Sequence, residues 1–193
     1  GRRSSTRSAV LPMNSSLSRP RARPPITIRA AREFSATRGS SSVAGMRDGV
    51  AIGSSMGLSP QSGLPHNNRV GDLDSAAVPF VMKTLGLPLA EAERQMTKEG
   101  GLLGLSGVSN DLRDIRAAAQ QGNARAQLAL DVLVHSARHW IGALFFALNG
   151  ADALVFTAGI GENNPDLRAA ICADLDQLGL VLDPAKNAAT RTE

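Results

Sequence analysis

A chain of 193 residues, 42% of them hydrophobic, is long enough for one domain with a full core, and no apolar run approaches the ~18 residues a membrane-spanning helix needs. The net charge of +4 is unevenly placed: residues 1–32 carry eight arginines and no acid, while the remainder holds 13 basic and 17 acidic residues. With aromatics at 3% and no tyrosine to stack on bases, this distribution argues against a nucleic-acid partner.

Residues 1–35 are rich in Ser, Arg and Pro, with no period and few large apolar side chains. Such a segment cannot bury enough surface to offset its ordering entropy, so a disordered tail is expected over 1–35 and a domain over 36–193. Three origins stay open for the tail: a transit-like segment, a nucleic-acid-binding arm, or the product of a shifted reading frame. Val43–Met46, the turn Arg47-Asp48-Gly49 and Val50–Ile52 then read as a β-hairpin, because Asp-Gly supplies the positive φ angles of a tight turn. A loop of Gly, Ser, Pro and Asn runs from Gly53 to Gly71. Helices are expected over 75–85 and 89–99, the second begun by Pro88 and ended by Gly100-Gly101.

A glycine-rich turn over Leu102–Ser109 leads to Asn110, which caps a helix from Asp111 to Gln121, stopped by Gly122. Asn123 opens a long helix to about Leu148, with Leu130, Leu133, Ala137, Trp140, Ile141 and Leu144 at helical spacing and Trp140–Leu148 as a buried segment. His135 and His139 lie one turn apart on it without a metal-binding pattern, and Asn149-Gly150 ends it. Ala153–Phe156 suits a buried parallel strand. Gly159–Asn163 turns the chain into a helix begun by Asn164-Pro165 and ended near Gly179, and Leu180-Val181-Leu182 starts another strand. The single cysteine, Cys172, excludes an intrachain disulfide and falls at a core position of that helix. The succession predicts an α/β domain with a largely parallel sheet, without internal repeats.

Three segments have the composition of a phosphate-ligand site. Glycines at the carboxyl end of the strand Ala153–Phe156 let a ligand approach the backbone, and the following helix offers N–H groups; a tight strand-to-helix turn is the plainer reading. Arg69, inside Asn67-Asn68-Arg69-Val70-Gly71-Asp72-Leu73-Asp74, can meet an oxyanion with its planar fork or serve as a surface ion-pair partner, with Asp74 as a helix cap. Asp111-Leu112-Arg113-Asp114 can bond a ribose or stack on a base, or simply favour a helix N-terminus electrostatically.

From about Val43 to Asn187 the chain resembles acetate kinase. Ser55-Met56-Gly57, Asn67–Asp74, Gly101–Gly107, Asp111–Asp114 and Phe156–Asn163 fall in the family's order with family-like separations. The resemblance implies an incomplete ribonuclease-H-like (actin-like ATPase) α/β domain. It also implies a cytoplasmic, ATP/ADP- and Mg²⁺-dependent kinase that converts acetate or another short-chain carboxylate to its acyl phosphate, reversibly, as a homodimer. Carried over by motif, Arg69 is the arginine that stabilises the transition state. Asp111, Leu112 and Arg113 fall on a nucleotide-binding segment, and Gly159, Ile160, Gly161, Glu162 and Asn163 on the loop that embraces adenosine. No metal ligand is assigned.

Departures accompany the likeness. Ala36–Ser40 stand where the family has a His-Leu-Gly-Asn-Gly phosphate loop, Gly53 stands where an acid is usual, and the family's N-terminal domain and metal-associated glutamate have no counterpart in these residues. The alternative expectation is therefore a nucleotide-binding or dimerisation module without turnover, or a truncated gene product without function.

Overall fold

The computed structural model describes residues 9–12, 26–29 and 42–190. In chain order the elements are β1 (Ala9–Pro12), β2 (Ile26–Arg29), β3 (Ala44–Arg47), β4 (Val50–Ser54), α1 (Ala77–Leu85), α2 (Leu89–Arg94), a π-helical turn (Gln95–Glu99), α3 (Gly101–Ser106), α4 (Leu112–Gln120), α5 (Ala124–Leu148), β5 (Ala153–Phe156), α6 (Ala158–Glu162), α7 (Pro165–Cys172), a 3₁₀ turn (Asp176–Leu178) and α8 (Pro184–Ala189). The architecture is mixed α/β with helices dominant. The chain divides into two compact units. One holds the strands and residues 138–190; the other holds residues 55–137.

In the first unit, Asp48 (φ 52°) and Gly49 (φ 82°) take the left-handed conformation that a tight hairpin turn requires, as the sequence predicts. The sheet runs β1-β5-β2-β3-β4. Only β2 and β5 are parallel; the pairs β1/β5, β2/β3 and β3/β4 are antiparallel. The expectation of a largely parallel sheet is thus corrected, because two of the strands come from the Arg/Ser/Pro-rich stretch. Ala9–Pro12 and Ile26–Arg29 are strands where a disordered tail was expected, their short apolar and β-branched runs having gone unread; the rest of 1–35 lies outside the described residues.

Leu154, Val155 and Phe156 of β5 are buried with Leu144 and Leu148 of α5 and with Ile171 and Cys172 of α7. A Cβ on Gly53 would stand 2.8 Å from Leu144 Cδ2, which gives the glycine at this position a packing reason. α7 stops at Cys172 rather than near Gly179, since Asp174 turns left-handed (φ 55°). The released carbonyls of Ile171 and Ala173 accept from Arg138 Nη1 at 3.0 and 2.5 Å. The strand expected over 180–182 reduces to a single bridge at Leu180. Asp183 caps the next helix instead, accepting from the Ala185 and Lys186 amides at 2.9 and 3.0 Å with Pro184 at its first turn.

In the second unit, α2 runs on into the π-helical turn, so the predicted helix over 89–99 forms, with a wider last turn. The glycine-rich turn expected after it is largely helical, as α3. The α4 cap is Asp111 rather than Asn110, its carboxylate accepting from the Arg113 amide. Asn123 opens α5 by accepting from the Ala126 amide at 3.0 Å. Ala126, Ala129, Leu133 and Ala137 of α5 are buried, as are Leu112 and Ile115 of α4. The far end of α5, which belongs to the first unit, is less buried than expected, since Phe146 is 87% exposed. No helix among the described residues is long and apolar enough to cross a membrane.

Leu148 is fully buried, and its Cδ1 would lie 3.3 Å from a Cβ placed on Gly45, so the strand packs close against it. Leu148→Ala is expected to destabilise the fold by about 2–5 kcal/mol, read as a lower urea midpoint at unchanged slope. A loss below about 1 kcal/mol would show that this contact is not part of a close-packed core.

Candidate functional site

The Arg69 loop in the second unit is held through its backbone. The His66 amide donates to Arg69 O (3.0 Å), the Val70 amide to Met96 O (3.0 Å), and the amides of Leu102 and Leu103 to His66 O and Asn67 O (both 2.8 Å). α3 therefore begins against this loop, and the approach admits no side chain at its first residue. Gly101 has a φ of +59°, and a Cβ on it would lie 2.0 Å from His66 O and 2.5 Å from Arg69 O. That contact explains why a glycine-marked turn is a helix start here.

The same loop reaches the segment Asp111–Asp114. Asn67 Nδ2 donates to Asn110 O at 2.7 Å, so the structure brings the Arg69 loop beside the start of α4. There the three candidate residues divide their work. Asp111 caps the helix, accepting from the Arg113 amide at 2.8 Å, and pairs with Arg113 Nη2 at 2.6 Å. The Arg113 side-chain and backbone donors hold the Asp111 carboxyl at about 2, below the usual carboxylate range. Leu112 is a core residue, and the Arg113 side chain is 86% exposed.

The glycine loop in the first unit is a single helical turn, α6. Gly159 and Gly161 avoid the left-handed region; Ala158 occupies it instead, with a φ of 62°. Its amide donates to Glu162 Oε1 at 2.9 Å, so the first N–H of the turn is bonded within the turn. Asn164 Nδ2 donates to Ile160 O at 2.8 Å. Gly159 is exposed, and a Cβ added there would meet nothing within 4 Å, whereas one on Gly161 would sit 3.4 Å from Phe156 Cβ.

Two residues that sequence reasoning missed close this turn. Arg168 is 1% exposed, and its Nη1 donates to Gly161 O at 2.8 Å and Glu162 O at 2.5 Å. Its Nε and Nη2 donate to Asn187 Oδ1 (2.7 Å) and Asn187 O (2.6 Å), while Asn187 Nδ2 donates to Pro165 O (2.8 Å). Burial lowers the affinity of this guanidinium for its proton. The signal was available, since Arg168, Ile171 and Cys172 share one face of α7 at helical spacing. Burial also pushes the Cys172 thiol up to about 11, consistent with its reading as a core residue. Among the described residues no group of three or more His, Cys, Asp or Glu stands close enough to hold a metal ion.

The acetokinase family profile matches residues 37–193. The chain belongs to the acetokinase family. It is 49% identical to the acetate kinase of Moorella thermoacetica over 147 residues, and 51% identical to that of Syntrophomonas wolfei over 146. Each match covers 76% of this chain and 37% of the relative. Among solved structures it is similar to Porphyromonas gingivalis acetate kinase (TM-score 0.79, 34% identity, 88% of this chain and 41% of that one). It is also similar to a propionate kinase from Francisella tularensis (TM-score 0.76, 31% identity, 86% and 42%). The chain thus spans about 37% of the length of the relatives it matches by sequence.

His66, absent from the sequence-based site, anchors the Arg69 loop and is 1% exposed. Burial, aided by the Arg69 charge, lowers its pKa from 6.5 to about 4. As pH falls below 6.5 the unfolded chain takes up the proton that the folded chain refuses. The associated stability is therefore whole above pH 6.5 and lost between 6.5 and about 4. Urea unfolding at pH 7 and 4.5 should show about 2–3 kcal/mol more loss in the parent than in His66→Gln. Equal losses in the two proteins would refute this role.

Proposed function

We propose that this chain supplies the nucleotide-binding part of an ATP-dependent carboxylate kinase. The reaction passes the γ-phosphoryl group of ATP to a carboxylate oxygen of acetate, giving acetyl phosphate and ADP, and runs in reverse. The observation that carries this reading is α6. At the carboxyl end of β5, the family's glycine loop is a turn whose internal bonds are already satisfied, with open space beside Gly159. Backbone can meet a ligand there without an intervening side chain.

In this proposal Gly159, Ile160, Gly161, Glu162 and Asn163 embrace the adenosine. Asp111, Leu112 and Arg113, at the start of α4, belong to the nucleotide-binding segment, with the Arg113 side chain largely exposed. Arg69 offsets the charge that builds on the phosphoryl oxygens in flight, from a loop whose position its backbone bonds set. Mg²⁺ would accompany the nucleotide phosphates and help to neutralise their charge. The antiparallel run β2-β3-β4, with β5 parallel to β2 across a helical connection, supports the ribonuclease-H-like description. Exposed apolar residues on α1, among them Phe80 and Leu85, support pairing of two copies, and the cytoplasm is the proposed setting. Solved relatives include both an acetate and a propionate kinase, so acyl-chain length belongs to the test. The alternative reading is a nucleotide-binding or dimerisation module without turnover.

Calorimetric titration with ADP and ATP, with and without Mg²⁺, tests the first reading. Gly159→Ala should leave the melting temperature unchanged or slightly raised, because the site is open and helical. Its ADP affinity should fall about tenfold or more if the nucleotide reaches this backbone. Arg69→Ala should keep ADP affinity within about threefold, since its proposed partner is the moving phosphoryl group. Undiminished affinity in Gly159→Ala would remove the loop from the site.

A hydroxamate assay of the 193-residue chain alone should find acyl phosphate formation at least about a hundredfold below an intact acetate kinase, with acetate, propionate or butyrate. Turnover within tenfold of the intact enzyme would show instead that these residues carry the whole reaction.

A further inference from the structure

We propose that Arg168, held by Asn187, is the positioning residue of the nucleotide loop: it does not touch the nucleotide, but sets where the Gly159–Gly161 backbone meets it. The inference rests on the reading of Gly159–Asn163 as a nucleotide loop. A guanidinium that is 1% exposed has given up its water, and that loss is offset only where several acceptors are fixed around it. Arg168 has such a set: Gly161 O and Glu162 O at the end of α6, Asn187 Oδ1 and Asn187 O in α8, and Thr190 O at 3.3 Å beyond it. Its planar fork thereby ties the loop to Asn187 of α8, 19 residues beyond Arg168.

The direction of these bonds separates positioning from general packing. Three side chains close α6: Glu162 takes the Ala158 amide, Asn164 binds Ile160 O, and Arg168 binds Gly161 O and Glu162 O. None of these bonds involves Gly159, which stays exposed with open space at its Cβ position. Ala158 is meanwhile kept at a φ of 62°, a conformation disfavoured for alanine, which the bonds around it must maintain. Releasing the Arg168 end therefore lets the turn relax without removing any atom that would face a ligand.

The test uses ADP as the probe, with the whole chain in four forms: parent, Arg168→Lys, Asn187→Leu and Asn187→Asp. Lysine keeps the charge but cannot span both loop carbonyls and Asn187. Leucine removes the side-chain acceptor and leaves the guanidinium in place. Aspartate restores an acceptor at Oδ1. Arg168→Lys and Asn187→Leu should each weaken ADP binding about tenfold or more, while Asn187→Asp stays within about threefold of the parent. Amide hydrogen exchange, which a uniformly destabilised fold would raise throughout, should rise in Arg168→Lys and Asn187→Leu at residues 158–163 and not at 154–156. Parental ADP affinity in folded Arg168→Lys and Asn187→Leu would overturn the proposal while leaving the loop as a nucleotide site. Exchange that rises evenly across both segments, or failure of both variants to fold, would assign the pair to the fold alone and also overturn it. Absence of ADP binding in the parent would sink the nucleotide-loop reading, and this proposal with it.

Discussion

The last carbonyls of an α-helix have no later turn to bond them, and among the described residues arginine side chains take carbonyls at the ends of α3, α5, α6, α7 and α8. Arg47 Nη2 donates to Leu148 O at the end of α5 (3.0 Å). Arg125 donates to Gly104 O and Leu105 O in the last turn of α3 (2.7 and 3.1 Å), and Arg138 to the carbonyls that close α7. Arg168 does the same for α6 and reaches α8 as well. Positive charge is favourable at the negative end of a helix dipole, and the planar guanidinium can bond more than one carbonyl at once. Short helices gain most, because in α3 and α6 the ends are most of the helix.

Two of the three candidate segments are fixed by opposite means. The Arg69 loop is bonded backbone to backbone with α3 and the π-helical turn, and a glycine without a side chain makes that approach feasible. The α6 turn is bonded side chain to backbone, through Glu162, Asn164 and Arg168. A substitution on the Arg69 side chain therefore leaves its loop standing, whereas substitutions around α6 act on the loop itself.

The sequence was most legible where a local rule decides the conformation. Asp48-Gly49 gives the hairpin, Asn123 and helical spacing give α5, and the apolar run Ala153–Phe156 gives β5. It misled where a tertiary contact overrides a local rule. Gly101 reads as a helix stop and Gly104 as part of a turn, yet bonds from Leu102 and Leu103 to the Arg69 loop accompany a helix there. Gly159 and Gly161 mark the strand-to-helix turn, yet the positive φ there belongs to Ala158, whose amide is bonded to the Glu162 carboxylate. The parallel sheet was over-read because two pairing strands lie within arginine- and proline-rich sequence, where composition speaks against them. Of the candidate site, the motifs mark the proposed loops but not the residues that hold those loops in place. Arg168, His66 and Asn187 act at long sequence separation or from burial, and neither property is written in a local pattern.

Burial also sorts the arginines by what each can do. Arg168 cannot be a ligand contact: its donors are committed to carbonyls, and leaving those carbonyls unpaired in the interior would cost far more than one new hydrogen bond returns. Arg113 stands at the other extreme. Its pair with Asp111 is largely in water, where such a bond adds little to stability, so exchanging it for a ligand is cheap. Arg69 lies between, half-buried on a loop whose place does not depend on its side chain. A charge required only when phosphoryl oxygens become more negative should be held where the fold does not need it and the solvent does not fully screen it. Of these three arginines, only Arg69 meets both conditions.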